Sequence, residues 1–178
     1  IAMLKFYYSL APNPMKVALF LEEAGLPYEA IAVDTRKGEQ HTPDFTALNP
    51  NAKVPVIVDG ASTVFDSNAI LLYLAEKTGR FLPADVRGRA AALEWLFWQM
   101  GGLGPMTGQY GHFHVYAPES IDYAKQRYAN EVNRLLGVLD RRLQGRSFIA
   151  GDEYTIADMA SYPWIGVYDK APIDLAPY

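Results

Sequence analysis

The apolar positions of this chain change period part-way along it. Leu4 to Tyr8 is a β-rich run and reads as a buried strand. Ser9 to Pro14, with two prolines and an asparagine, reads as a loop. Val17, Phe20, Leu21 and Ala24 then recur at i, i+3, i+4 and i+7. Met15 to Ala24 is therefore predicted as an amphipathic helix, with Gly25 as its stop. Tyr28 to Val33 predicts a second strand, so the opening is a βαβ unit, right-handed by rule. Thr35 to Gln40 is polar loop, and Thr42 to Leu48 is at most a short helix. Asp59-Gly60 between two β-branched runs signals a hairpin, and a helix from Ser67 to Thr78 ends at Gly79. The order β-α-β then β-β-α predicts a thioredoxin-like α/β domain over 1–79.

Beyond a linker from Gly79 to Asp85 nothing reads as strand, so 86–178 is expected to be all-helical. Val86 to about Gln99 contains Trp95, Leu96, Phe97 and Trp98 in a row and is expected to be buried all round. Gly101-Gly102 and Gly104-Pro105 are expected to break or kink it. Pro118 to Gln144 predicts a long helix whose face carries Ile121, Tyr128, Val132, Leu135, Leu139 and Leu143, closed by Gly145. Thr155-Ile156-Ala157-Asp158 has capping-box form and opens a last helix toward Trp164, with Asp158 structural.

Composition narrows the chemistry. Net charge is −4 and the pI near 5.3, which argues against a general nucleic-acid or anionic-membrane surface. No apolar stretch approaches the ~20 residues of a membrane span, and no signal peptide is visible, so a cytoplasmic protein is expected. Ile1-Ala2 precede Met3, which reads as the natural start. Cysteine is absent, which removes disulfides, thiolate metal sites and a cysteine nucleophile. Sulfur chemistry would have to use a thiol carried in by a ligand. His112 and His114 are two apart without a carboxylate beside them, so no metal site is expected.

Three segments can carry chemistry. Val54-Pro55 opens the hairpin, where a proline often marks a cis peptide and a backbone edge left for a ligand. Asp66-Ser67 sits at a predicted helix start, where free N–H groups attract a carboxylate. Together they suit a small zwitterionic peptide. The Ser9-Leu10-Ala11-Pro12-Asn13-Pro14 loop runs into another helix start, where a thiolate gains from the dipole. Asn13 offers two side-chain donors there, or is simply a cap or turn residue. Ser9 is a second donor or a turn residue. Met106, Tyr110, His112, Phe113, His114 and Tyr116 either line an apolar-substrate pocket or are inter-helix core. Arg127 and Arg134 each reach a ligand or decorate a solvated face.

These segments resemble the glutathione transferases. Ala11-Pro12-Asn13 is similar to the Thr-Pro-Asn of the Nu-class bacterial members and to the Ala-Pro-Asn of the prion-forming nitrogen regulator of the same family. Lys16-Val17, Gly38-Glu39-Gln40, Asn49 to Pro55, Ala69 to Leu72, Trp95-Leu96-Phe97, Gly108-Gln109 and Thr155 to Asp158 match as well. The hydroxyl of the serine-type members is replaced by Ala11. The resemblance implies a glutathione transferase fold and glutathione as cosubstrate. It implies that Val54, beside cis Pro55, pairs with the cysteinyl backbone. It implies that Ser67 holds the γ-glutamyl carboxylate, and Asp66, one methylene shorter than the usual glutamate, its ammonium. Gln40 and Lys53 would meet the glycine end, and Asn13 would stabilise the thiolate. Capping or a solvated charge is the alternative for Asp66, Ser67 and Lys53. The implied activity is disulfide or organic peroxide reduction with weak transferase activity, in a homodimer. The alternatives are a non-catalytic regulator or scaffold, and an isomerase or dehalogenase on the same fold. Relatives continue past the Pro163-Trp164 helix with another helix or tail that packs on the second domain; this chain stops at Tyr178, so that segment is expected to be lacking here.

Overall fold

The computed structural model describes residues 2–165 and 173–178; the expectations for the remainder of 86–178 lie outside the described residues. The chain divides into two compact units, 1–82 and 83–178.

The first unit is a four-stranded sheet with helices. β1 (Leu4–Tyr8) lies parallel to β2 (Tyr28–Ala32), with Leu4 opposite Tyr28 and Tyr8 opposite Ala32. The crossover between them is α1 (Pro12–Ala24), ended by Gly25 at φ +64. Val17, Phe20 and Leu21 are the fully buried part of the predicted apolar stripe. A self-bonded loop follows: Arg36 and Lys37 N–H donate to Asp34 Oδ1, and Asp34 N–H donates to Glu39 Oε2. α2 (Pro43–Leu48) is short and capped by Thr42. β3 (Val56–Asp59) and β4 (Ser62–Phe65) complete the sheet in the order β2-β1-β3-β4. α3 (Ser67–Thr78) packs against α1 and ends at Gly79.

Two local expectations are corrected. The hairpin loop is Gly60-Ala61 rather than Asp59-Gly60, because Asp59 pairs with Ser62 as the last rung. Gly60 at φ +60 supplies the left-handed first loop position that a tight hairpin needs. Asp59 is instead held by Tyr73 Oη (2.8 Å) and by the Lys77 ammonium, which together lower its pKa. Second, β3 is no edge strand, since it bonds to β1 on one side and β4 on the other. Val54-Pro55 lies before the ladder begins, and its backbone is open for that reason.

The second unit is helical. α4 (Val86–Trp98) is not buried all round: Val86 is 86% exposed and Phe97 62%. Arg87, Arg89 and Glu94 interrupt its apolar run, leaving a stripe of Ala92, Leu96, Gln99 and Leu103 that turns inward. Of the break or kink expected at Gly101-Pro105, the break does not occur. A π-helical turn over Gln99–Leu103 keeps the backbone in the right-handed helical region and passes into α5 (Gly104–Gly111). Longer-range i→i+5 bonding tolerates the missing N–H of Pro105 without ending the helix. A second π turn, His112–Tyr116, follows. α6 (Asp122–Leu143) starts four residues later than predicted and buries Val132, Leu135, Leu136 and Leu139. α7 (Ile156–Ser161) carries the predicted capping box. Thr155 N–H donates to Asp158 Oδ2 (3.0 Å), and Ile149 N–H donates to Asp158 Oδ1 (2.9 Å). Burial pushes the Asp158 pKa up, and those N–H groups hold it back.

Candidate functional site

The start of α3 gathers the most chemistry. Asp66 is its N-cap, with φ +71 and ψ 119, a conformation that costs a non-glycine residue about 1–3 kcal/mol. Asp66 Oδ1 accepts from Asn68 N–H (3.1 Å) and Ala69 N–H (3.0 Å). The capping alternative is therefore real for Asp66, yet it uses one oxygen only. Asp66 is exposed, and its Oδ2 meets no partner among the described residues. Ser67 is the first residue of the helix and only 3% exposed. Its main-chain N–H is one of the donors a helix start leaves unpaired. Asp66 covers the next two N–H groups and not this one. A carboxylate set against Ser67 would meet that N–H and the hydroxyl together, while an ammonium would meet Asp66 Oδ2. An α-amino acid head group carries both.

Sequence reasoning did not pick out Lys16. It is fully buried on α1, and its Nζ donates to Ser67 Oγ (3.1 Å) and Asn68 Oδ1 (2.9 Å). Burial lowers its pKa to about 7, against the opposing attraction of Asp66. The available signal was its position: Lys16 stands four residues before Phe20 and next to Val17, inside the apolar stripe.

The Asn49–Val54 loop is built by one buried asparagine. Asn49 Nδ2 donates to Lys53 O (2.8 Å), and its Oδ1 accepts from Asn51 N–H (2.8 Å). This carries the chain through Ala52 at φ +53 to Val54, whose peptide with Pro55 is cis. Val54 makes no main-chain hydrogen bond among the described residues, so its N–H and C=O are available to an extended peptide. Lys53 is exposed, and its ammonium has no partner among those residues. Gln40 Nε2 donates to Thr35 O (3.2 Å), while its Oε1 is buried without a partner.

The start of α1 is bare by comparison. Ala11 is the N-cap and forms no side-chain cap bond. Asn13 is the second helical residue, half-buried, and not the cap. Ser9 O accepts from Ala11 N–H (3.0 Å). Ser9 and Ala11 line a cleft of about 550 Å³ with Thr35 and Arg36; Val54, Asp66 and Ser67 do not line it.

In the helical unit, Arg127 and Arg134 share a cleft of about 520 Å³ with Met106 and Tyr128. Arg134 forms a two-pronged pair with Glu131 at 2.8 Å. Tyr110 instead packs with Val132 and Leu136 in the core, and His114 Nδ1 bonds Tyr110 O. Among the described residues no cluster of His, Asp and Glu is arranged for a metal ion, and no helix is long and apolar enough to cross a membrane.

Known proteins resemble the chain over both units. Residues 11–77 match the model of the glutathione S-transferase N-terminal domain, and residues 104–176 that of the C-terminal domain. The chain is 49% identical to the disulfide-bond oxidoreductase YfcG of Escherichia coli, over 99% of this chain and 85% of that protein. A glutathione transferase of Burkholderia graminis, solved with two glutathione molecules per subunit, superposes with a TM-score of 0.89 at 47% identity, over 92% of this chain and 71% of that one. One from Pseudomonas putida, solved with a glutathione disulfide per subunit, superposes with a TM-score of 0.88 at 45% identity, over 92% and 74%. The chain belongs to the glutathione S-transferase family.

Proposed function

We propose that the protein binds glutathione in its first unit and uses the bound thiolate to reduce disulfides. The observation that carries this is the α3 start: a buried Ser67 with two donors beside the unpaired Oδ2 of Asp66. Ser67 takes the γ-glutamyl carboxylate and Asp66 the ammonium. Val54, ahead of Pro55, pairs with the cysteinyl backbone. Lys53 meets the glycine carboxylate as a point charge, and Gln40 does so through its second amide N–H. Asn13, at the α1 start, donates to the thiolate, with Ser9 as the other candidate donor. Arg127 and Arg134 are assigned a lesser role at ligand anions.

The reaction needs no protein thiol, and the chain has none. The glutathione thiolate attacks one sulfur of a disulfide RSSR. The S–S bond breaks, RS⁻ leaves and is protonated, and a mixed disulfide forms. A second glutathione attacks the glutathione-side sulfur and expels the second thiol. Two glutathiones are oxidised to one glutathione disulfide, and RSSR is reduced to two RSH. The relatives solved with two glutathiones and with glutathione disulfide support this reading. An organic peroxide is the second acceptor class, carbon electrophiles are weaker substrates, and the working form is a cytoplasmic homodimer; these rest on the family resemblance.

The test is a panel of glutathione with a dialkyl disulfide, an organic hydroperoxide and an aryl halide. Disulfide turnover should dominate. Asn13→Ala should raise the bound thiol pKa, read from thiolate absorbance against pH, and cut turnover while leaving glutathione affinity nearly unchanged. If Ser9→Ala abolishes turnover and Asn13→Ala does not, Ser9 is the thiol partner. One observation favours a second reading, a binding or scaffold protein: Ala11 leaves the α1 start without a hydroxyl. Glutathione binding without turnover on any panel member would establish it.

A further inference from the structure

The buried lysine under the α3 start does more than fill space. An ammonium has three donors and no lone pair, so both contacts run from Lys16 to α3. The Ser67 oxygen receives one of them and cannot donate back. Its own proton then has no acceptor among the described residues, although Ser67 is only 3% exposed. A buried donor in that state costs free energy until something accepts from it. A neutral amine behaves differently, because its lone pair can accept the Ser67 proton. The protonation of one lysine thus decides which way the serine hydroxyl points.

We propose that Lys16 is a positioning residue for the ligand carboxylate: as an ammonium it aims the Ser67 hydroxyl outward to donate, and as an amine it turns that hydroxyl inward. The proposal rests on the reading of Ser67 as the γ-glutamyl carboxylate site. From α3, Lys16 faces Asp66, Ser67 and Asn68, and only Asp66 titrates; Asp66 is the charge that acts on Lys16 among the described residues. Its α1 neighbours one turn away, Pro12, Asn13, Leu19 and Phe20, carry no charge. Burial brings the lysine near neutrality at about pH 7, so a bound carboxylate would draw a proton onto it.

The probe is S-methylglutathione, which has no thiol to titrate. Its control is the same molecule with γ-aminobutyryl in place of γ-glutamyl, which keeps the amine and lacks the α-carboxylate. Calorimetry in buffers of different ionisation heat should show proton uptake on binding S-methylglutathione, and affinity falling about tenfold from about pH 6 to about pH 8.5. The control should show neither. Lys16→Met should bind S-methylglutathione about tenfold more weakly at low pH, without pH dependence, and should bind the control as the unaltered protein does. If Lys16→Met does not fold, Ser67→Ala decides, since it should flatten the pH profile with Lys16 in place. A flat profile in the unaltered protein, an equal profile for the control, or a Lys16→Met variant that retains affinity and pH dependence would each overturn the proposal. If Ser67→Ala weakens binding and Lys16→Met does not, Lys16 alone is misassigned. No binding of S-methylglutathione by the unaltered protein removes the Ser67 reading and this one together.

Discussion

Two helix starts in the first unit, α1 and α3, are built in opposite ways. α3 has an aspartate cap, a cation beneath it and a buried serine at its first position. α1 has an alanine at its N-cap, prolines at its first and third positions, and no side-chain cap bond. Pro12 and Pro14 lack an N–H, so Asn13 is the only one of those three residues that can donate from its main chain. Asp66 accepts from the N–H groups of Asn68 and Ala69 and not from that of Ser67. At the α1 start Ala11 forms no side-chain cap bond. The α3 start is the one proposed to hold the ligand. On the same proposal the α1 start, where Ala11 offers no cap, faces the thiolate of the ligand, which suits a chain without a cysteine of its own.

Lys16 gives the largest expected effect on this comparison. In an unfolded chain its pKa is the ordinary 10.5, while in the fold it is about 7. Between those values the unfolded chain holds more protons, so stability rises with pH. Going from about pH 7 to about pH 9 should stabilise the protein by about 2 kcal/mol, measured by urea unfolding. Lys16→Met should remove that rise. An unchanged slope in the variant would mean that Lys16 is not the group that sets it.

Next in size is Ser67→Ala. Glutathione affinity should fall by about 1–2 kcal/mol, the scale of a hydrogen bond to a charged group. Titration calorimetry that finds equal affinity would make the α3 start a structural cap and nothing more.

How far these features were legible depended on whether local rules or tertiary contacts decide them. The βαβ and ββα elements followed from apolar period and turn residues, as did the Gly25 and Gly79 stops and the Thr155–Asp158 box. Each rests on neighbours within a few residues. Strand order does not: β3 read as an edge because Pro55 precedes it, and only pairing with β1 and β4 makes it interior. α4 read as buried because four large side chains follow one another, yet the helix turns Phe97 outward. Gly101 to Pro105 read as a break or kink because the rule assumes i→i+4 bonding, and a π turn carries the helix through without a break. Ser67 and Asp66 were found by their place at a helix start. Lys16 was not, since its meaning comes from a residue 51 positions away.

The cap and ligand roles of Asp66 can be separated. Asparagine keeps an oxygen that accepts from Asn68 and Ala69 N–H, and tolerates positive φ. Asp66→Asn should leave stability nearly unchanged while weakening glutathione binding. Asp66→Ala should weaken binding and also cost about 1 kcal/mol of stability, read from the unfolding midpoint. Equal stability of the two variants would show that the cap contributes nothing.

The smallest effect tests the bare helix start. Ala11 has φ −135 and ψ 162, the extended geometry of an N-cap residue. Ala11→Ser should therefore fit without rearrangement and accept from an N–H of the first turn. Asn13 and Met15 are the only donors there, and Met15 N–H is already bound to Ala11 O at 3.2 Å. Because Pro12 and Pro14 offer a cap hydroxyl no N–H, the gain should sit at the low end for a cap, about 0.5 kcal/mol of stability. Glutathione affinity should not change, because Val54, Asp66 and Ser67 hold the rest of the molecule. Turnover is the informative readout. A serine that draws on Asn13 would compete with the thiolate for the same helix start, so disulfide turnover should fall while stability rises. If turnover rises instead, the added hydroxyl has become a thiolate donor, and the bare α1 start is a loss of function relative to α3 rather than a space kept for the ligand's sulfur.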